Sequence, residues 1–260
     1  MCSMFVLDCA QCVAQSVATM PRKSRLVGLS NSRNRPRVAS LNDVYDHILR
    51  SIVDQRMPPG AKLNELTLCE IFNMGRRQVS QVLVRLAQDD LVVLYPNRGA
   101  FVASPDVETA KAIFEARRTI EDSIVRLAAE KMTREQHSEL RKNVEGEAAH
   151  RRANRIREAI KFSGEFHILL GRFCGNPIFA TMIRQLVART SLVVSLYENQ
   201  DTMSCWHDDH GLLLKHLEAR AGGPASTLMR KHLIEIEKSL ALDRPAPEPF
   251  DLRAIYSPAS

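Results

Sequence analysis

Apolar residues recur along most of the chain at the three-and-four spacing of an amphipathic helix, and one short stretch only departs from it. Leu41, Val44, Ile48 and Ile52 predict a first helix over about 41–56, stopped by Met57-Pro58-Pro59-Gly60. Leu68, Ile71 and Phe72 mark a short second helix, about 65–72, and Asn73-Met74-Gly75 supplies a tight turn. Val79, Val82, Leu83 and Leu86 define a third helix, about 76–89. Residues 91–95 and 100–103 are β-prone and flank the turn Pro96-Asn97-Arg98-Gly99. Two short helices on a tight turn, followed by a hairpin, make a winged helix-turn-helix. Beyond Ser104-Pro105-Asp106 no alternation returns. Helices are expected at about 106–131, 134–153, 155–174, 178–199, 202–221 and 224–241, with breaks at Pro177 and at Gly222-Gly223-Pro224.

The expected fold class is therefore mainly α: an N-terminal winged helix-turn-helix followed by an all-α bundle of six or seven helices. The expected division is a disordered basic extension over 1–40, the winged unit over 41–104, a helical unit over 105–242 and a loose tail over 243–260.

Composition adds little to this and excludes more. With 260 residues, 45% of them hydrophobic and 25% charged, the chain can form one or two cored domains. No uninterrupted run of roughly 18 apolar residues occurs, which argues against a membrane-spanning helix and for a cytoplasmic protein. Six cysteines at irregular spacing suit a reducing compartment rather than a disulfide scaffold, and Cys9 and Cys12 read as tail thiols. The net charge of +6 is uneven: residues 1–40 hold six Lys/Arg against one acid, and the rest is nearly balanced. A polyanionic partner must therefore be argued from local placement.

That placement is informative at the third helix. Arg76 and Arg77 open it, where main-chain N–H groups also face outward and favour phosphate. Gln78, Ser80 and Gln81 follow on or near its exposed side, and Arg98 and Gly99 sit at the hairpin tip. Arginine and glutamine at a helix end can read base edges in the major groove, and a wing arginine can reach the backbone or the minor groove. These residues form the expected surface for double-stranded DNA.

Helical wheels at about 100° per residue single out a second constellation. Ile113, Phe114, Ile120, Ile124 and Leu127 share a stripe with Arg117 and Glu121. Ile156, Ile160, Leu170 and Cys174 share one with Ser163 and His167. Met203, Trp206, Leu213, Leu214 and Leu217 flank His210, and Leu228, Met229 and Ile236 flank His232. Three helices thus aim a histidine at one interior. Burying imidazoles together without partners is costly, and a shared divalent metal of zinc, nickel or manganese type would satisfy them. His207 could substitute for His210, whereas His47, His137 and His150 lack this placement and read as surface residues. Arg117 either pairs with an anionic ligand or forms an internal ion pair with Glu121.

The stretch PPGAKLNELTLCEIFNMGRRQVSQVLVRLAQDDLVVLYPNRGAFV resembles the DNA-binding domain of GntR-type bacterial transcription regulators, most specifically at the wing. It departs at the recognition helix, where Ser80 stands at a position usually held by arginine and Arg77 is an additional base; Leu66 stands where a basic residue is frequent. The helical remainder resembles the FCD ligand-binding domain of the FadR branch, through Arg117-Arg118-Thr119-Ile120-Glu121, Glu165-Phe166-His167, Gly175-Asn176-Pro177, Asp209-His210 and Met229-Arg230-Lys231-His232-Leu233. The resemblance implies metal ligands at His167, His210 and His232, with Ser163 in place of the family's Asp or Asn. Water or an effector carboxylate could take that position, with Arg117 and Ser163 beside it.

What the resemblance implies is a homodimeric regulator whose affinity for a DNA operator is set by a small metabolite, in this family usually an organic acid. Two other readings stay open on the residues alone: a metal-dependent hydrolase built on the three histidines, and an architectural DNA-binding protein whose helical part only dimerises.

Overall fold

The structure, a computed structural model, describes residues 40–198 and 209–243. The expected N-terminal extension with Cys9 and Cys12, the C-terminal tail, and Met203, Trp206 and His207 lie outside the described residues.

The N-terminal part runs α1 (Leu41–Val53), β1 (Lys62–Leu63), α2 (Glu65–Phe72), α3 (Arg76–Gln88), β2 (Val92–Tyr95) and β3 (Gly99–Val102). Ser40 and Asp43 form a capping box that starts α1, and Asn64 caps α2 through Leu66 and Thr67. Asn73 ends α2 in the left-handed conformation, which an asparagine tolerates, and turns the chain into α3. Val79, Val82, Leu83 and Leu86 bury one face of α3 against Val44, Ile48 and Ile52 of α1. The three strands are antiparallel in the order β1-β3-β2, with Leu63 opposite Ala100 and Val93 opposite Phe101. Sequence patterning missed β1, because two residues cannot display an alternation.

The helical part comprises, among the described residues, α4 (Val107–Lys131), α5 (Arg134–Arg152), α6 (Ile156–Phe173), α7 (Pro177–Tyr197), α8 (Asp209–Glu218) and α9 (Gly222–Ser239). Asp106 caps α4, Thr133 with Gln136 boxes α5, and Asn176 caps α7 with Pro177 at its first turn. Gly171 lets α6 and α7 approach closely: a Cβ there would stand 2.3 Å from Ile183 Cγ2. One hydrophobic cluster runs from α1 and α3 into α4, α6, α7, α8 and α9. Among the described residues α7 is, by length and composition alone, long and apolar enough to cross a membrane. Its apolar residues Ile183, Val187, Ala188 and Leu192 are spent on the bundle core, which accounts for its composition.

α7 also meets the N-terminal part through polar contacts. Arg184 pairs with Asp46 of α1 at 2.5 Å, Gln185 donates to Asp89 at 2.6 Å, and Arg189 donates to the Asp89 carbonyl at 2.9 Å and pairs with Asp90 at 2.7 Å. Asp89 and Asp90 follow α3 directly, so α7 grips the end of the helix expected to read DNA.

Candidate nucleic-acid interface and candidate metal centre

The exposed face of α3 begins at Gly75, whose N–H donates to Gln78 Oε1 at 3.1 Å; Gln78 thus caps the helix with its acceptor. Arg76, Arg77, Gln78 and Gln81 are exposed and Ser80 is half-buried. Arg76 Nε donates to Glu65 Oε2 at 3.2 Å, tying α3 to α2. At the wing tip Gly99 has φ +95°, a backbone conformation that side chains resist. This turn holds the Arg98 guanidinium 5.3 Å from the Tyr95 ring centre and 5.9 Å from that of Phe101. A groove of about 560 Å³ lies between α3 and the wing, lined by Arg76, Ser80, Val84, Tyr95, Arg98 and Gly99. Arg77, Gln78 and Gln81 do not line it. Lys62 of β1 and Asn64, the cap of α2, do line it; Lys62 was missed because its two-residue strand shows no alternation.

The three inward histidines do meet. His167 of α6, His210 of α8 and His232 of α9 are buried, and one ring nitrogen from each lies within 4.8 Å of the others. Each ring is held from behind by a carboxylate. His167 Nδ1 lies 2.5 Å from Glu121, His210 Nδ1 lies 2.6 Å from Glu147, and His232 Nδ1 lies 3.1 Å from Asp209. Such partners fix the tautomer, placing the proton on Nδ1 and leaving Nε2 as a donor atom. Phe166 stacks on the His210 ring at 4.0 Å and closes that side.

The electrostatics favour neutral rings at His167 and His232. Burial pushes His167 down to about 3, against the pull of Glu121, and burial likewise pushes His232 down to about 4. Burial opposes the charge on Glu121, yet Arg117 and His167 outweigh it and hold that carboxyl at about 2. Glu147 is also lowered: His210 and Arg151 overcome its burial. His210 Nε2 and His232 Nε2 lie 3.1 Å apart, and with both ring protons on Nδ1, facing the carboxylates, their lone pairs oppose each other. His167 Nε2 is buried with no hydrogen-bond partner among the described residues. A cation among the three resolves both conflicts, so the donor set fits a divalent transition metal.

Beside His167 lies a cavity of about 40 Å³, walled by Arg117, Ser163, Thr190, Ser191 and Ile236 among others. Arg117 Nε donates to Glu121 Oε1 at 2.7 Å, while its Nη2 is buried without a partner among the described residues. The internal ion pair and a free guanidinium edge therefore coexist. The arrangement can receive an anion: one cationic edge, hydroxyls, and a neighbouring triad of imidazole donors.

Residues 41–102 match the family model for bacterial regulatory proteins of the gntR family, and residues 112–235 match the FCD domain. The HTH-type transcriptional repressor NanR of Cronobacter sakazakii is 31% identical over 178 residues, covering 60% of this chain and 67% of its own. The chain is a GntR-family transcriptional regulator with an FCD domain. The HTH-type transcriptional repressor RspR of Escherichia coli K12 is 24% identical over 76% of this chain and 87% of its own. Among solved structures, E. coli McbR/YncC superposes with a TM-score of 0.65 at 20% identity, covering 76% of this chain and 96% of that one. A regulator from Rhodococcus sp. RHA1 gives 0.63 at 19% identity, covering 76% and 95%. These two share the fold.

This GntR regulator binds DNA and small-molecule effectors rather than catalysing a reaction, so the hydrolase and purely architectural readings are set aside. Two histidines read as surface residues are half-buried: His150 stacks on Phe162 at 5.2 Å, and His137 Nδ1 has no partner among the described residues. Sequence reasoning also passed over Glu147. Its signal was there: Leu140, Asn143, Val144 and Glu147 share one face of α5, so a carboxylate sits at a core position.

Proposed function

We propose that this regulator binds a palindromic operator as a homodimer in the cytoplasm, and that a small carboxylate metabolite sets its operator affinity from the FCD domain. In this reading, residues 41–104 read DNA through Arg76, Arg77, Gln78, Ser80, Gln81, Arg98 and Gly99, and residues 105–242 sense. Two-fold protein symmetry suits two half-sites.

The observation that carries the sensing half is the unpartnered Arg117 Nη2 and His167 Nε2 on one small cavity. His167, His210 and His232 would hold a divalent metal, which when bound supplies a Lewis-acidic site for a carboxylate oxygen. Ser163 brings no carboxylate to that position, which leaves it to water or to the metabolite's own carboxylate. Arg117 orients the incoming carboxylate, and Ser163, Thr190 and Ser191 offer hydroxyls to its remaining polar groups.

The route to the DNA reader follows from size. A cavity of about 40 Å³ takes a few water molecules, so a metabolite has to part α6 from α7. Thr190 and Ser191 line the cavity one step along α7 from Arg189, which holds Asp89 and Asp90 behind α3. A shift of α7 therefore changes the seating of the reader. Regulation requires only that the metabolite bind the two seatings unequally; a factor of ten corresponds to about 1.4 kcal/mol.

The test uses a duplex selected by the protein from random DNA and fluorescence anisotropy with zinc-loaded protein. Carboxylate metabolites added one at a time should include one that shifts operator affinity tenfold or so. Arg117→Ala should abolish that response and leave operator affinity unchanged without metabolite. A response that survives Arg117→Ala contradicts the proposal.

A further inference from the structure

A second cavity, of about 470 Å³, lies between the DNA-reading part and the bundle. It is distinct from the histidine centre: α6 presents Ser163 and His167 to the bundle interior, and Lys161, Glu165, Ile168 and Arg172, on roughly its opposite side, to this cleft. α1 forms the facing wall with Arg50 and Asp54, α5 contributes Asn143, and α7 contributes Arg184.

Most of its charges are already matched. Lys161 pairs with Asp54 at 3.3 Å, Arg184 with Asp46 at 2.5 Å, and Arg172 with Glu139 at 3.5 Å. Three polar groups are not. Arg50 has no ion-pair or hydrogen-bond partner for its side chain among the described residues, and neither has Glu165, although Glu165 is half-buried. Asn143 is only 7% exposed and its Oδ1 is buried without a partner among the described residues. A buried amide oxygen and a half-buried carboxylate that lack donors are costly unless something supplies them. Burial raises the Glu165 carboxyl despite the nearby Arg50 and Arg172, as expected for an acid wanting a partner.

The leftover set is thus one cation, one carboxylate and one amide, on opposing walls of one cleft. We infer that this cleft is a second ligand site of the regulator and that its ligand is a small zwitterion of the α-amino acid class, its carboxylate on Arg50 and its ammonium on Glu165 and Asn143. Such a ligand satisfies all three groups at once, which a simple anion does not. Because it bridges α1 to α5 and α6, its binding fixes how the DNA-reading part sits on the bundle, independently of the histidine centre.

Calorimetric titration of the full chain with each common L-α-amino acid, and with the matching des-amino carboxylate, tests this. At least one amino acid should bind to chelator-treated and zinc-loaded protein alike, and its des-amino counterpart should bind about tenfold more weakly or not at all. Arg50→Ala, at an exposed position that leaves the core intact, and Glu165→Gln should each weaken binding about tenfold or more. The inference is overturned if no amino acid binds, if the des-amino compound binds equally, if affinity survives either cleft substitution, or if chelator treatment abolishes it.

Discussion

Mild acidification should destabilise the metal-free regulator, and the histidine centre sets both the sign and the size. In the unfolded chain a histidine takes up its proton near 6.5; in the folded protein burial holds His167 at about 3 and His232 at about 4. Between these values the unfolded state binds protons that the native state refuses, so stability is complete above about 6.5 and falls as the pH drops toward 4. At pH 5 each ring lies about 1.5 units below its unfolded value. At about 1.4 kcal/mol per unit, that is roughly 2 kcal/mol per ring and about 4 kcal/mol for the pair. Glu121, held at about 2, acts in the same direction but in a lower window, from about 4.5 downward, and is not engaged at pH 5. Urea unfolding of chelator-treated protein, followed by helical circular dichroism at pH 7 and pH 5, measures the difference. The double substitution His167→Gln with His232→Gln removes both titrating groups and should flatten the profile over this interval. An equally steep loss in wild type and double variant would refute the reasoning, because the pH dependence would then arise elsewhere.

Other outcomes follow from the same geometry. Glu147→Gln removes the charge that fixes the His210 tautomer and should weaken zinc binding about 10- to 100-fold in a competition assay against a chelating dye. Ser163→Asp should tighten zinc binding, since it places a carboxylate one helical turn before His167; unchanged affinity would show that Ser163 stands away from the metal. Arg77→Ala should weaken operator binding with the fold intact and lower the salt slope by about one, as measured by anisotropy at several salt concentrations. Gly171→Ala should lower thermal stability by about 1–3 kcal/mol, because its Cβ would overlap Ile183 and push α6 from α7; a melting curve matching wild type would contradict that packing.

Much of the fold was legible from one physical regularity. A helix packed on one side must repeat its apolar residues every three to four positions, so Val79, Val82, Leu83 and Leu86 announce α3, and Ile160, His167 and Leu170 announce the inward face of α6. Asn73, Gly99 and Pro177 mark turns and starts for reasons local to the backbone. The same periodicity placed His167, His210 and His232 on buried faces, since a wheel needs no knowledge of the partner helix.

What surrounds those faces was decided only when helices distant in sequence packed together. Glu147 reaches His210 across 63 positions, and Glu121 reaches His167 across 46, so no spacing rule connects them. The same holds for the grip of Arg184, Gln185 and Arg189 on the DNA-reading part, and for the cleft that leaves Arg50, Glu165 and Asn143 without partners. Periodicity determines which side of a helix turns inward because that depends on one helix alone. Which groups meet there depends on the angles at which several helices cross, and those angles belong to the folded chain.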